Sequence, residues 1–246
     1  PKPKAHCLIL DVDHTLVHSV DMGDIEHQTE YGNLCAFDKM PHTELWNNHC
    51  IRLRPFAQRF IAKAGEMFQI AIFSKGKEGY VAKVRSMLDP DDQYITRVAC
   101  VEDLDANGKK DFRKVTDLKA HNVIVLDDRI DWWPDEVRRI QALRYDYFAA
   151  AEVKKAIELA TALPRDSDHY LPCVMRFLQA VLEKASTPPR RTLRSACDAT
   201  FCQVLADVTI CTWPRNEREE SCAQGYGARV DDHITSNVHL VVVARG

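Results

Sequence analysis

Three short apolar runs set the frame of the chain: CLIL at residues 7–10, FQIAIF at 68–73 and VIVL at 123–126. Each has the length of a strand and is apolar throughout apart from Gln69, the pattern of strands buried on both faces. Between them the period changes. Phe56, Phe60, Ile61 and Ala64 recur at helical spacing after Pro55, and Tyr80, Val81, Val84, Met87 and Leu88 do so after Gly79, which predicts two helices with one apolar face each. Strands alternating with helices imply an α/β fold with a parallel sheet and right-handed crossovers.

The exits from the three runs are polar: Asp11 after the first, Ser74 after the second, Asp127 and Asp128 after the third. In an open parallel sheet the carboxyl ends of neighbouring strands share one crevice, so these segments can meet at a single site. Residues 16–50 are polar, with turn signals at Gly23, Gly32, Asn33 and Pro41 and weak alternation over 49–53, and are expected to form a small β-hairpin insertion. Residues 148–163 and 170–185 carry helical patterns, and STPPRR at 186–191 has the composition of a linker. Beyond it, apolar runs at 204–210 and 238–243 suggest a second small domain. The expected division is 1–163, 164–191 and 192–246.

Composition narrows the function classes. The 246 residues are 46% hydrophobic and 28% charged, enough for one filled core and a smaller unit. A formal net charge of -3 supplies no global basic field, so no direct nucleic-acid partner is expected. No apolar run approaches the roughly 20 residues of a membrane span, and the nine cysteines form no C-x-x-C pair. A soluble intracellular protein with reduced thiols is the expectation. Cys35, His42, His49 and Cys50 match no common zinc spacing and read as a polar hairpin with buried thiols. The chain opens at Pro1 and stops at Gly246 directly after an apolar run, so further sequence at the ends is expected.

The segment DVDHT at 11–15 sets two carboxylates one residue apart where a buried strand gives way to a loop. One can attack an electrophile while the other gives and takes a proton. Phosphoryl transfer needs little more covalent apparatus, since positioning and charge neutralisation carry most of it. A dianionic phosphate will not approach several acids without a cation. Mg2+ suits them, with Asp11 and Asp128 as side-chain ligands and the backbone carbonyl of Asp13 as a third. Ser74 and the amides of Lys75 and Gly76 stand at a strand-to-helix passage suited to phosphate oxygens. Lys110 or a neighbouring base, Lys109 or Lys114, would neutralise developing charge.

DVDHT, Ser74 in FSKG, KDFRK at 110–114 and LDDR at 126–129 together resemble the four motifs of haloacid dehalogenase phosphatases. RLRP at 52–55, MLDP at 87–90 and DDR followed by Trp132 and Trp133 narrow the likeness to the FCP/SCP branch, phosphatases of the RNA polymerase II C-terminal domain. DDR in place of DNS tilts it towards the larger Fcp-type enzymes. The resemblance covers about residues 5–150. It implies a Rossmann-like haloacid dehalogenase sheet, an Asp11 that is phosphorylated, an Asp13 that is general acid and base, and Mg2+. It implies that Thr15, Arg54, Ser74, Lys110, Asp127 and Asp128 bind phosphate or metal or order the site. It also implies the phosphorylated polymerase tail as substrate, general transcription factors as partners, and a nuclear location. GYGARV and DDHITSNVHLVV within 225–242 are similar to the middle of a BRCT module, for which a docking or packing role is expected.

Plainer readings stand beside these. A lone D-x-D is often a turn or a cap; four segments in the right order favour catalysis. Arg54 can pair with a surface acid, Asp89 before Pro90 can stop a helix, and Trp132 and Trp133 are more often core than platform. His14 and His18 are taken as structural. A small-molecule phosphatase and a non-catalytic phosphopeptide scaffold are the rival functions. The short segment between Asp13 and Ser74 argues against the first, and the presence of both Asp11 and Asp13 against the second.

Overall fold

The first strand, β1 (Cys7–Leu10), lies between β5 (Gln69–Phe73) and β7 (Val123–Asp127) and pairs in parallel with both, so that Leu10 faces Ile72 on one side and Leu126 on the other. β6 (Ile95–Ala99) and β8 (Arg138–Gln141) complete a five-stranded parallel sheet in the order β6-β5-β1-β7-β8. The computed structural model describes residues 4–21, 42–149, 166–204, 209–213, 224, 229–230 and 240–243. Chain order reverses at β1, with β5 and β6 on one side and β7 and β8 on the other. This is a topological switch point, and the crevice beyond its carboxyl ends is where such sheets bind ligands.

All residues of β1 and β7 are buried. One face gathers Cys7, Ile9, Phe73, Val125 and Trp133 in a single apolar cluster. Fully burying a large aliphatic or aromatic side chain is worth about 1.5–3 kcal/mol, so the centre of the sheet can hold charged groups at its rim despite their desolvation. α1 (Ala57–Met67) buries Ala57, Phe60, Ile61, Ala64 and Gly65, the i, i+3, i+4, i+7, i+8 stripe. Gly65 lets the helix approach Tyr94, whose ring carbon would lie 2.5 Å from an added Cβ. α2 (Glu78–Leu88) buries Val81, Val84, Met87 and Leu88. Both helices stand where the apolar period placed them.

The polar segment after β1 forms β2 (Val17–Asp21), β3 (Thr43–Trp46) and β4 (His49–Leu53), an antiparallel sheet in the order β2-β4-β3 rather than a lone hairpin. β2 pairs with β4 over five residues; its sequence, VHSVD, lacks the alternation that marks a strand. The β3-β4 turn is Asn47-Asn48, both at positive φ (42° and 65°), a conformation asparagine tolerates in tight hairpins. The anticipated turn residues Gly23, Gly32, Asn33 and Pro41, and Cys35, lie outside the described residues. So does the segment 150–165, most of the helix expected over 148–163.

The chain divides into two compact units, residues 1–176 and 177–246. The first runs past 163 because Asp166 bonds Arg52 and Tyr145 while Asp168 grips Arg54. α3 (Tyr170–Ser186) follows, and the 186–191 stretch joins it to α4 (Leu193–Phe201), which Thr192 caps by accepting the Ser195 N–H. The second unit contains a parallel sheet in the order β10-β9-β11, formed by β9 (Thr209–Trp213), β10 (Arg229–Val230) and β11 (Leu240–Val243). No helix among the described residues is long and apolar enough to cross a membrane.

Candidate active site

Three adjacent strands end together, and their exits converge. Asp11 leaves β1 with its N–H donated to the Leu126 carbonyl, Ser74 leaves β5, Asp127 closes β7 and Asp128 follows it. Carboxylate oxygens of Asp11, Asp127 and Asp128 lie within 4.8 Å of one another. Between two of them stands Lys110, 1% exposed, whose Nζ donates to Asp11 Oδ1 and Asp127 Oδ2, each at 2.7 Å. Its backbone N–H bonds the Trp132 carbonyl, which holds the basic segment under the strand ends. Of Lys109, Lys110 and Lys114, it is Lys110 that enters the cluster; Lys109 Nζ donates to the Asp131 carbonyl.

Asp127 is fully engaged. Besides Lys110 it accepts from Trp133 Nε1 at 2.7 Å and from the Arg129 N–H at 2.7 Å, so Trp133 is both core and anchor. Thr15 Oγ1 donates to Asp11 Oδ2 (3.2 Å) and accepts the Asp128 N–H (3.2 Å), which stitches the loop after β1 to the end of β7. Asp128 Oδ2 meets Arg144 Nη1 at 2.8 Å.

Asp13 lies on the other flank. It accepts from Tyr80 Oη at 2.5 Å on Oδ1 and, weakly, from Ser74 Oγ at 3.4 Å on Oδ2. Ser74 Oγ in turn accepts the Gly76 N–H at 2.9 Å. Lys75 does not join the acids; its Nζ lies 3.6 Å from the Trp132 ring centre, a cation–π contact. Arg54 is buried. Its guanidinium takes Asp168 in a bidentate grip (3.0 and 2.8 Å) and donates to the carbonyls of Thr15 and Leu143, so it clamps the chain that carries Thr15. Asp89 accepts three backbone N–H bonds, from Gln93, Tyr94 and Ile95, and staples the loop after α2.

The electrostatics follow from one ammonium shared by two buried carboxylates. Burial pushes Asp11 well above the usual carboxylate range; Lys110 opposes this, and the neighbouring Asp127 and Asp13 charges add to it. Burial would lower Lys110, but Asp11 and Asp127 outweigh it and hold the ammonium protonated. Asp128 is raised by burial and by Asp127 against the pull of Arg144. Three carboxylates face the buried Lys110 ammonium and the half-exposed Arg144, which Asp128 shares with Asp146, so the cluster has fewer cations than acids. The donors are all hard oxygens, the chemistry that suits Mg2+.

Sequence reasoning passed over Tyr80 as one more member of an apolar repeat. The available signal was its place, six residues after Ser74 in the first turn of the helix that starts at the crevice. Arg144 and Asp168 carried no such signal. His42, His49 and Cys50 form no metal-type cluster among the described residues.

A parallel sheet in the order β6-β5-β1-β7-β8 with three acids gathered at its switch point defines an open α/β protein with a ligand-type crevice at its strand ends. Residues 6–187 match the NLI interacting factor-like phosphatases, and the chain belongs to that family. It is 26% identical over 162 residues to RNA polymerase II C-terminal domain phosphatase-like 4 of Arabidopsis thaliana, covering 58% of this chain and 35% of that protein. It is 30% identical over 136 residues to CTD small phosphatase-like protein 2 of Dictyostelium discoideum, covering 51% and 22%. The chain thus spans between about a fifth and a third of these relatives. The fold is similar to a solved structure of Fcp1, an essential RNA polymerase II CTD phosphatase, with TM-score 0.62, 17% identity, and coverage of 98% of this chain and 84% of that one. A second, fission yeast Fcp1-R271A bound to beryllium fluoride, gives 0.60 at 19% identity, covering 98% and 85%.

Proposed function

We infer that this chain is a Mg2+-dependent protein serine phosphatase acting on the phosphorylated C-terminal domain of RNA polymerase II, in the nucleus, through an Asp11 phosphate. The observation that carries this is the buried ammonium shared by Asp11 and Asp127 beside a third acid; the family and the names of its relatives support the substrate. Asp11 and Asp128, with the Asp13 carbonyl, would hold the metal, which would neutralise phosphoryl oxygens as they approach. In the first step an Asp11 oxygen bonds to phosphorus, the bond from phosphorus to the seryl oxygen breaks, and Asp13 passes its proton to that oxygen. In the second, water attacks phosphorus, Asp13 takes the water's proton, and the bond to Asp11 breaks, releasing inorganic phosphate. Lys110 offsets charge on the transferring group and keeps Asp11 aimed. Thr15 and Ser74 order the two flanks, with Lys75, Gly76 and Arg54 completing the proposed phosphate-binding set.

The motifs assign the phosphatase unit to residues 1–163, with Asp166 and Asp168 of the helix and linker segment 164–191 bonded to it, and a docking role to the BRCT-like segment 192–246; general transcription factors are proposed partners of the enzyme. The test compares polymerase-tail peptides phosphorylated at serine with sugar phosphates. Preference for the peptides is expected; faster turnover of the sugar phosphates would assign the site to small metabolites instead.

A further inference from the structure

Asp13 stands in the loop after β1, half-buried, and its carboxylate is not free to turn. Tyr80 Oη sits 2.5 Å from Oδ1, and three parts of the fold hold that ring in place. α2 supplies the residue in its first turn. Gly76 leaves room for it, since an added Cβ would stand 2.6 Å from a Tyr80 ring carbon. The antiparallel sheet flanks it with Trp46 and His49, at centroid distances of 6.4 and 6.1 Å. The helix that follows the Ser74 loop therefore delivers the tyrosine to the acid on the adjoining strand exit. Toward Asp13 the phenol is the donor.

We propose that Tyr80 is a positioning residue for Asp13: by holding Oδ1 at 2.5 Å it leaves Oδ2, which has only the long 3.4 Å contact with Ser74 Oγ, as the oxygen that carries the proton to the leaving group. This rests on the reading of Asp13 as general acid. A carboxylic acid with one oxygen fixed as acceptor has its proton, and its line of transfer, set before substrate arrives, which is the preorganisation that efficient proton transfer needs. The role makes Tyr80 matter in proportion to how badly the leaving group needs a proton.

The experiment uses the full chain with Mg2+ and substituted phenyl phosphates of similar size, from dinitrophenyl to unsubstituted phenyl, reading log kcat/KM against leaving-group pKa. Wild type is expected to show a shallow dependence. Y80F, which removes one hydroxyl and keeps the ring, is expected to steepen it, with phenyl phosphate falling about tenfold more than dinitrophenyl phosphate. D13N is expected to steepen it further. Equal losses across the series in Y80F, or an unchanged slope, would overturn the proposal while leaving the phosphatase reading intact. A D13N slope equal to wild type would instead remove the acid reading and the proposal with it. Should Y80F fail to fold, 3-fluorotyrosine at position 80, which packs much as tyrosine does, must change the slope without a parallel loss across the series; an unchanged slope rejects the role.

Discussion

Among the described residues of the first unit lie two trios of ligand-type side chains, Asp11 with Asp127 and Asp128, and His14 with His18 and Asp146, and in each the ligand atoms fall within 4.8 Å. Their surroundings set them apart. In the histidine trio Asp146 is answered by His14 Nδ1 at 2.6 Å and by Arg144 Nε at 2.7 Å. His18 Nδ1 accepts the Phe148 N–H at 2.9 Å, so the proton of neutral His18 sits on Nε2, facing Asp146, and that nitrogen offers no lone pair. The acid trio has the buried Lys110 and a share of the half-exposed Arg144 for three carboxylates. Proximity of ligand atoms does not make a metal site; charge left uncompensated does, and Arg144, bonded to Asp128 and Asp146 alike, marks the border between the two.

Substitutions can break this comparison. Asp11→Asn is expected to cut turnover of an aryl phosphate by about 10⁴-fold or more, while His18→Gln leaves turnover per folded molecule near wild type; a steady-state assay at matched folded concentration distinguishes them. Lys110→Met leaves two buried acids without their ammonium and should cost about 3–5 kcal/mol of stability, read by denaturant unfolding. The histidine trio should respond to pH instead. Burial, with help from His14, lowers His18 to about 4 from an ordinary 6.5. The folded state then binds fewer protons than the unfolded one between those values, so the stability owed to neutral His18 is complete above pH 6.5 and is lost as pH falls towards 4. The difference between wild type and His18→Gln over that window should reach at most about 3 kcal/mol.

Metal sharpens the contrast further. Mg2+ at about a hundredfold over its Kd should stabilise wild type by about 2.7 kcal/mol, seen as a higher Tm. Asp128→Asn should lose that response and His18→Gln keep it. The smallest effect belongs to Asp89, whose burial would raise it but whose bonds from Ile95, Tyr94 and Gln93 outweigh this and hold it low. Asp89→Ala should cost about 1–2 kcal/mol and leave kcat/KM unchanged.

What could be read in advance divides along the same physical line. The three apolar runs became β1, β5 and β7 because a strand buried on both faces has only apolar side chains to show, and both helices followed their stripes. The acids at the strand exits were legible because sheet topology, not local preference, brings them together. β2 was missed because VHSVD owes its strand to its partner β4. The grip of Arg54 on Asp168 was beyond reach, since it joins residues 114 apart in sequence, and Tyr80 was hidden because its ring fits an apolar repeat while only its hydroxyl bears on the site.

The measurement closest to the centre of this account is chemical trapping of the intermediate: turnover of a phosphoserine peptide quenched in acid, reduction with borohydride, and mass spectrometry of the fragment containing residues 11–15. An acyl phosphate reduces to the alcohol, so the account predicts homoserine at position 11 with Asp13 unaltered. Reduction at Asp13, or turnover with neither residue modified, would contradict it.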